Sequence, residues 1–223
     1  MEMRLLSMGS VIKKFMIFGD SYSTYEGHIP EGFYPYYAPN GIEGQDPVSK
    51  MRLEETWWQR LMAKDGAELV MNNSCSGSTI SYTGYNGDCS GTTSFIRRYR
   101  MLKEQGFFDK NEIDTILVLG GTNDSWVPSP LGEMKFSDFE EADLFKALPA
   151  ICYFAKSLSE LDSRVIFIVN CDINPTIIDG IKAAAEHFGV ETVELSGVDK
   201  RSGHPTPLGM EQICDQILEA FSK

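Results

Sequence analysis

The chain has 223 residues, 42% of them hydrophobic and 23% charged, with a formal net charge of -12. That length fills one core, and a single domain over residues 1–223 is expected. The acidic balance repels a phosphate backbone or an anionic bilayer surface, which excludes nucleic acid and membrane as partners and favours neutral or cationic ones.

Residues 1–11 carry little periodicity and are expected to be disordered or to precede the native start, with Met3 and Met8 as alternative starts. Phe15 to Phe18 is a short apolar run that reads as a buried strand and ends abruptly on Gly19, Asp20 and Ser21. His28 to Tyr37 (HIPEGFYPYY) is a long aromatic loop of the kind that carries function. Thr56-Trp57-Trp58-Gln59 fits a capping box, so a helix starts at Trp57 with at least one indole in the core. Leu69 to Met71 is the second strand, and polar residues Asn72 to Thr79 follow it. Arg97, Arg98 and Arg100 form a basic cluster on a helix, which in so acidic a chain reads as a solvated face.

Thr115 to Leu119 is the third strand, followed by Gly120-Gly121-Thr122-Asn123-Asp124 and a second long loop, Ser125 to Phe136. Ser137-Asp138-Phe139-Glu140 fits another capping box, and Pro149 should kink or split the segment that runs on to Leu161. Val165 to Val169 is the fourth strand. Asn174-Pro175 opens a helix that Gly189 closes, and Val190 to Leu195 is the fifth strand. Thr206 caps the last helix, with Pro207 in its first turn and Met210, Ile213, Cys214, Ile217 and Phe221 at helical spacing on its buried face. This alternation predicts an α/β fold of three layers, α/β/α, around a flavodoxin-like, doubly wound, five-stranded parallel sheet. No apolar run approaches the roughly 20 residues that span a bilayer, and none serves as a secretory core, so a cytoplasmic chain is expected. The five cysteines are scattered, lack CxxC spacing and have no histidine cluster beside them, which reads as reduced thiols without a metal.

In an open doubly wound sheet, ligands sit beyond the carboxyl ends of the strands. The segments there are Gly19-Asp20-Ser21, Asn72 to Thr79, Gly120 to Asp124 and Ser202-Gly203-His204-Pro205, all small and polar. A serine hydroxyl needs a base to take its proton, and the oxyanion that forms needs fixed donors. Ser21 supplies the hydroxyl and His204 the base, while the N–H groups of Ser21 and Gly77 and the side-chain amide of Asn123 supply donors. His204 precedes a helix N-terminus, whose positive end favours the neutral imidazole that a base requires. His187 is placed late in a helix, and His28 in the aromatic loop, where it touches substrate or water.

In these four blocks and their order, from Phe15 to the last helix, the sequence resembles the SGNH, or GDSL-like, hydrolases; GGTND at 120–124 is the most specific piece. The resemblance implies acyl ester hydrolysis without a cofactor, with Ser21 as nucleophile, Gly77 and Asn123 as oxyanion donors and His204 as base. Two positions depart from the family pattern: Tyr22 replaces a leucine, and Arg201 stands where an acid is usual, three residues before the histidine. Asp199, five residues before His204, is then one candidate to orient the imidazole, and a backbone carbonyl serving a Ser-His dyad is the other. Tyr22, Asp124, Trp126 and His28 are candidates for the substrate wall, although Asp20 and Asp124 also read as acceptors for loop N–H groups. The expected substrate is a small acyl ester, an acetyl ester by preference. Loop tyrosines and tryptophans, whose flat faces stack on pyranose rings, suggest a carbohydrate. Two alternatives share the fold: a catalytically silent binding module, and a flavodoxin-like carrier with Ser21, Ser23 and Thr24 on a flavin phosphate.

Overall fold

After its partly exposed Lys14, strand β1 (Lys14–Gly19) is buried and without charge, because neighbouring strands and helices cover it. The computed structural model describes residues 12–221; the expectation for residues 1–11 lies outside them. With β2 (Glu68–Ser74), β3 (Thr115–Gly120), β4 (Arg164–Val169) and β5 (Glu191–Glu194), it forms one parallel sheet in the order β2-β1-β3-β4-β5. The winding reverses between β1 and β3, which opens a crevice at the carboxyl ends of those two strands.

Helices α1 (Trp57–Asp65) and α5 (Pro207–Phe221) cover one face, and α2 (Phe95–Glu104), α3 (Ala147–Ser159) and α4 (Pro175–Phe188) cover the other. The period-2 alternation of strand side chains divides the interior accordingly. Phe15, Ile17, Leu117 and Leu119 pack with Trp57, Trp58, Met210 and Ile213. Met16, Phe18, Ile116 and Val118 pack with Phe95, Ile151, Phe154 and Ile177. Both faces of β1 and β3 are buried, which is why they read as continuous apolar runs, and each fully buried aliphatic side chain contributes about 1.5–3 kcal/mol.

The expected caps hold at three helices. Thr56 accepts from the Gln59 N–H, Asn174 from the Thr176 N–H ahead of Pro175, and Thr206 from the Gly209 N–H ahead of Pro207's helix. Gly189 closes α4 in the left-handed conformation. Two expectations need correction. No helix starts at Ser137: Glu140 and Asp143 instead cap a short 3-10 turn, Glu141–Phe145, and α3 begins at Ala147. Pro149 therefore falls in the first turn of α3, where its missing N–H costs no helical bond. The second strand also runs on through Asn72, Asn73 and Ser74, which pair with Ile17, Phe18 and Gly19. Polar side chains are tolerated there because they find partners: Asn72 donates to the Ser23 carbonyl at 2.8 Å and accepts from the Ser74 hydroxyl at 2.5 Å. Among the described residues, no helix is long and apolar enough to cross a membrane, and all five cysteines are free thiols.

Candidate active site

At the end of β1 the chain turns sharply into a one-turn 3-10 helix, Ser21–Ser23. Only glycine fits at 19: a Cβ there would lie 2.4 Å from the Ser74 hydroxyl and 2.6 Å from Ser23. Asp20 caps the turn, accepting from the Tyr22 N–H at 3.0 Å, and so frees Ser21 from the capping role that a serine after a strand commonly takes. Both indoles of α1 hold the turn from below, Trp57 donating to the Ser23 hydroxyl at 3.2 Å and Trp58 to the Ser23 carbonyl at 3.1 Å. The nucleophile candidate thus rests on buried aromatic groups whose polar edges are satisfied.

The Ser21 hydroxyl faces Nε2 of His204 at 3.0 Å. On the other side of the ring, Nδ1 lies 3.3 Å from the Ser202 carbonyl. A carbonyl only accepts, so it selects the tautomer with hydrogen on Nδ1 and leaves an Nε2 lone pair for the serine proton. The ring is gripped by aromatic neighbours: Tyr36 stacks on it with centroids 3.6 Å apart and planes 7° from parallel, and Trp126 meets it edge-on at 6.0 Å. Tyr22 packs at 5.6 Å and donates its hydroxyl to the Gly203 carbonyl beside the histidine. Burial lowers the His204 pKa from its usual 6.5, outweighing the Ser202 carbonyl and the nearby Asp46 charge, so the neutral imidazole dominates at neutral pH.

The candidate donors lie on the neighbouring strand ends. Gly77 sits in the turn after β2 with a φ of 75°, a conformation that L side chains avoid, while a Cβ would meet nothing closer than 3.8 Å. Its glycine is therefore required by the backbone bend more than by space. Asn123, in the short helix Thr122–Trp126 that follows β3, donates one amide hydrogen to the Ser78 carbonyl at 2.9 Å and accepts the Tyr85 hydroxyl at 3.1 Å. Because Ser78 O can only accept, the amide has one orientation, and its second hydrogen is left for a ligand. Among the described residues, the N–H groups of Ser21 and Gly77 make no hydrogen bond within the protein.

Arg98 was expected on a solvated face, and the structure corrects this: the side chain is buried beneath the site. All five of its N–H donors are used. They reach the Thr93 carbonyl at 2.9 Å, the Asn73 carbonyl, Asn73 Oδ1 at 3.0 Å, the Gly19 carbonyl at 3.0 Å and the Ser78 hydroxyl at 3.0 Å. One guanidinium thereby ties the ends of β1 and β2 to the turn that carries Gly77. The signal was available, since Phe95, Arg98, Tyr99 and Leu102 fall at i, i+3, i+4 and i+7 on the inward face of α2. Burial lowers the Arg98 pKa to about 10 and raises that of Asp20 to about 7.

Other candidates are placed elsewhere. Asp124 is turned inward, its carboxylate accepting from the N–H groups of Ile80 at 2.8 Å and Ser81 at 3.0 Å, which fastens the β2 turn to the segment after β3. Asp199 is not brought to the imidazole: its carboxylate accepts the Thr206 hydroxyl and its own N–H donates to Gln212 at 2.7 Å, holding the start of α5. His28 is exposed and packs on the rings of Tyr25 and Trp58, with no ring contact or hydrogen bond to Ser21 or His204. Sequence reasoning missed Tyr36, Asp46, Tyr85 and Arg98. Of these only Arg98 had a periodic signal, since the other three act through contacts between distant loops.

Comparison with known proteins identifies the family and the fold. The family GDSL-like Lipase/Acylhydrolase matches residues 13–221. A solved GDSL-like lipase structure from Bacteroides uniformis is 38% identical, covering 95% of this chain and 96% of that one with a TM-score of 0.84. Another from Bacteroides ovatus is 33% identical, covering 95% and 98% with a TM-score of 0.84. Est24, a carbohydrate acetylesterase from Sinorhizobium meliloti, shares the fold at 13% identity, with 94% and 97% coverage and a TM-score of 0.57. The comparison with curated proteins gave no match. With a serine at the β1 end facing an imidazole, and with the family matched along almost its whole length, the chain belongs to the GDSL-like lipase/acylhydrolase family of ester hydrolases.

Proposed function

We propose that the protein is a serine carboxylic-ester hydrolase that removes a small acyl group, preferentially acetyl, from a carbohydrate through an acyl-enzyme. The observation that carries this reading is the 3.0 Å contact of His204 Nε2 with the Ser21 hydroxyl. In the first half-reaction, Ser21 Oγ attacks the ester carbonyl while Nε2 takes its proton. The tetrahedral oxyanion is received by the N–H groups of Ser21 and Gly77 and the free amide hydrogen of Asn123. As the C–O bond to the sugar breaks, the imidazolium returns its proton to the departing alkoxide. In the second half-reaction, a water gives its proton to Nε2 and attacks the acyl-serine. Collapse frees the carboxylic acid and restores the Ser21 hydroxyl.

Two features support the substrate. Ser21 is only 3% exposed, and the His204 ring it faces is flanked by Tyr22 and Tyr36, which favours a short acyl group. Among the described residues, two of the exposed large hydrophobic side chains, Tyr85 and Trp126, contact site residues, and a third, Tyr34, lies on a loop joined to the Gly77 turn. The Tyr34 carbonyl accepts from the Ser76 N–H, the Tyr85 hydroxyl contacts Asn123 and Trp126 flanks His204. Flat exposed rings suit the C–H faces of a sugar, and the likeness in fold to a carbohydrate acetylesterase is in keeping with this. The free cysteines are in keeping with a reducing, cytoplasmic setting.

The test is hydrolysis of p-nitrophenyl acetate and a panel of acetylated and longer-chain acylated sugars by wild type and Ser21→Ala. Turnover that is lost in the variant, with folding retained and with acetyl sugars preferred, is expected. A variant as active as wild type removes Ser21 from its role, and a wild type inert to every ester and to a fluorophosphonate probe makes the protein a silent binding module.

A further inference from the structure

Among the described residues, no carboxylate bonds His204 Nδ1, and its acceptor there is the Ser202 carbonyl. Ser202 and Gly203 form the two-residue loop of a hairpin in which Arg201 pairs with His204. Both loop residues have positive φ, 49° for Ser202 and 79° for Gly203, the pattern of a type I′ turn. A serine in that conformation needs external support. The support comes from Asp46, more than 150 residues away in sequence. One oxygen of its carboxylate accepts the Ser202 hydroxyl at 2.7 Å, and the other accepts the Val48 N–H at 2.9 Å and lies 3.3 Å from Arg201 Nε. The carboxylate is therefore anchored in its own loop and on the hairpin at once.

We propose that Asp46 is the positioning acid for His204 and acts through Ser202. It holds the Ser202 carbonyl against Nδ1–H, which keeps the Nε2 lone pair on Ser21, and its charge favours the imidazolium formed when the serine proton arrives. A buried acid directly on Nδ1 is replaced here by a half-buried acid one residue removed, delivered by a different loop. The inference rests on the esterase reading for its catalytic consequence but not for its structural one.

Few other charges face the ring. Tyr36, Tyr22, Trp126 and Ser21 enclose it; Arg201 is held by Asp46, and Lys200, 5.7 Å from the Tyr22 ring centroid, pairs with Asp172 at 3.3 Å. The Asp46 charge acts on His204 in the direction that raises its pKa.

The test compares Asp46→Ala, Asp46→Asn, Ser202→Ala and the Asp46→Ala/Ser202→Ala double variant in the full chain. Readouts are kcat on p-nitrophenyl acetate and NMR titration of the labelled His204 ring, with its tautomer read from the 15N shifts. Asp46→Asn keeps the Val48 cap and a partner for Ser202 while removing the charge, so it is the variant expected to stay folded. It should titrate His204 at lower pH than wild type. Asp46→Ala and Ser202→Ala should each lower kcat about tenfold to hundredfold and raise the Nε2–H tautomer fraction. The double variant should lose little more than either single change. An unmoved titration and tautomer in all variants overturns the proposal, even where activity falls, because Asp46 is then only a loop anchor; so does a double variant whose losses multiply. Should wild type hydrolyse no ester, the NMR measurements still decide Asp46, and the esterase reading fails separately.

Discussion

Replacing Asn123 by alanine separates catalysis from scaffolding at one residue. The amide has three hydrogen-bonding atoms in defined places: one hydrogen on Ser78 O at 2.9 Å, the oxygen on the Tyr85 hydroxyl at 3.1 Å, and one hydrogen free. Loss of the free hydrogen removes an oxyanion donor, which lowers kcat by about 10²–10³, or about 2.7–4 kcal/mol of barrier. Loss of the hydrogen on Ser78 leaves a buried carbonyl unpaired, which lowers stability by about 1–3 kcal/mol. The partly exposed Tyr85 hydroxyl turns to water at little cost. KM for p-nitrophenyl acetate should change far less than kcat, because the lost contact strengthens only as charge develops. The assay is steady-state kinetics beside thermal melting, at a temperature where both proteins are folded. Tyr85→Phe provides the control, since it removes the hydroxyl on the amide oxygen but no oxyanion donor, and its kcat should fall by less than tenfold. A folded Asn123→Ala protein with kcat within about threefold of wild type would refute the donor assignment.

Three further outcomes follow from the same geometry. Burial holds the His204 pKa below 6.5 and the base must be neutral, so kcat/KM should fall only as pH drops beneath 6.5; a midpoint at 7 or higher contradicts the buried, carbonyl-bonded ring. Asp20 has a folded pKa of about 7 against 3.8 unfolded, so the folded state retains a proton that the unfolded chain releases, and stability is lost as pH rises through that window. Asp20→Asn keeps an acceptor for Tyr22 and carries no charge, so in urea unfolding its advantage over wild type should grow from pH 4 to 7 by up to a few kcal/mol and then level off; a pH-independent difference would disprove the burial argument. Trp126→Ala should raise KM about threefold to tenfold for an acetylated sugar and leave KM for ethyl acetate unchanged, which lacks a ring to stack; equal changes for both would take the indole out of sugar binding.

The sequence by itself determined the architecture and the identities at the strand ends. Runs such as Thr115–Leu119 and Val165–Val169 are apolar throughout because both faces are covered, and that pattern, alternating with capped helices, specifies a parallel sheet whose ligands collect at one end. Gly19-Asp20-Ser21, Gly77, Asn123 and His204 were legible because each lies directly after a strand or before a capped helix, so local periodicity fixes its position. Arg98 was legible in principle, from helical spacing, but charge composition argued the other way. What tertiary structure alone decided is how the imidazole is held. Tyr36 stacks on it, Asp46 reaches it through Ser202, and Asp199 turns away to Thr206. These contacts join loops far apart in sequence that have no periodicity, and their partners depend on where rigid strands carry the loop ends. A carboxylate five residues from a histidine looks closer on paper than one 158 residues away, but the hairpin's twist and the cap of α5 reverse that order in space.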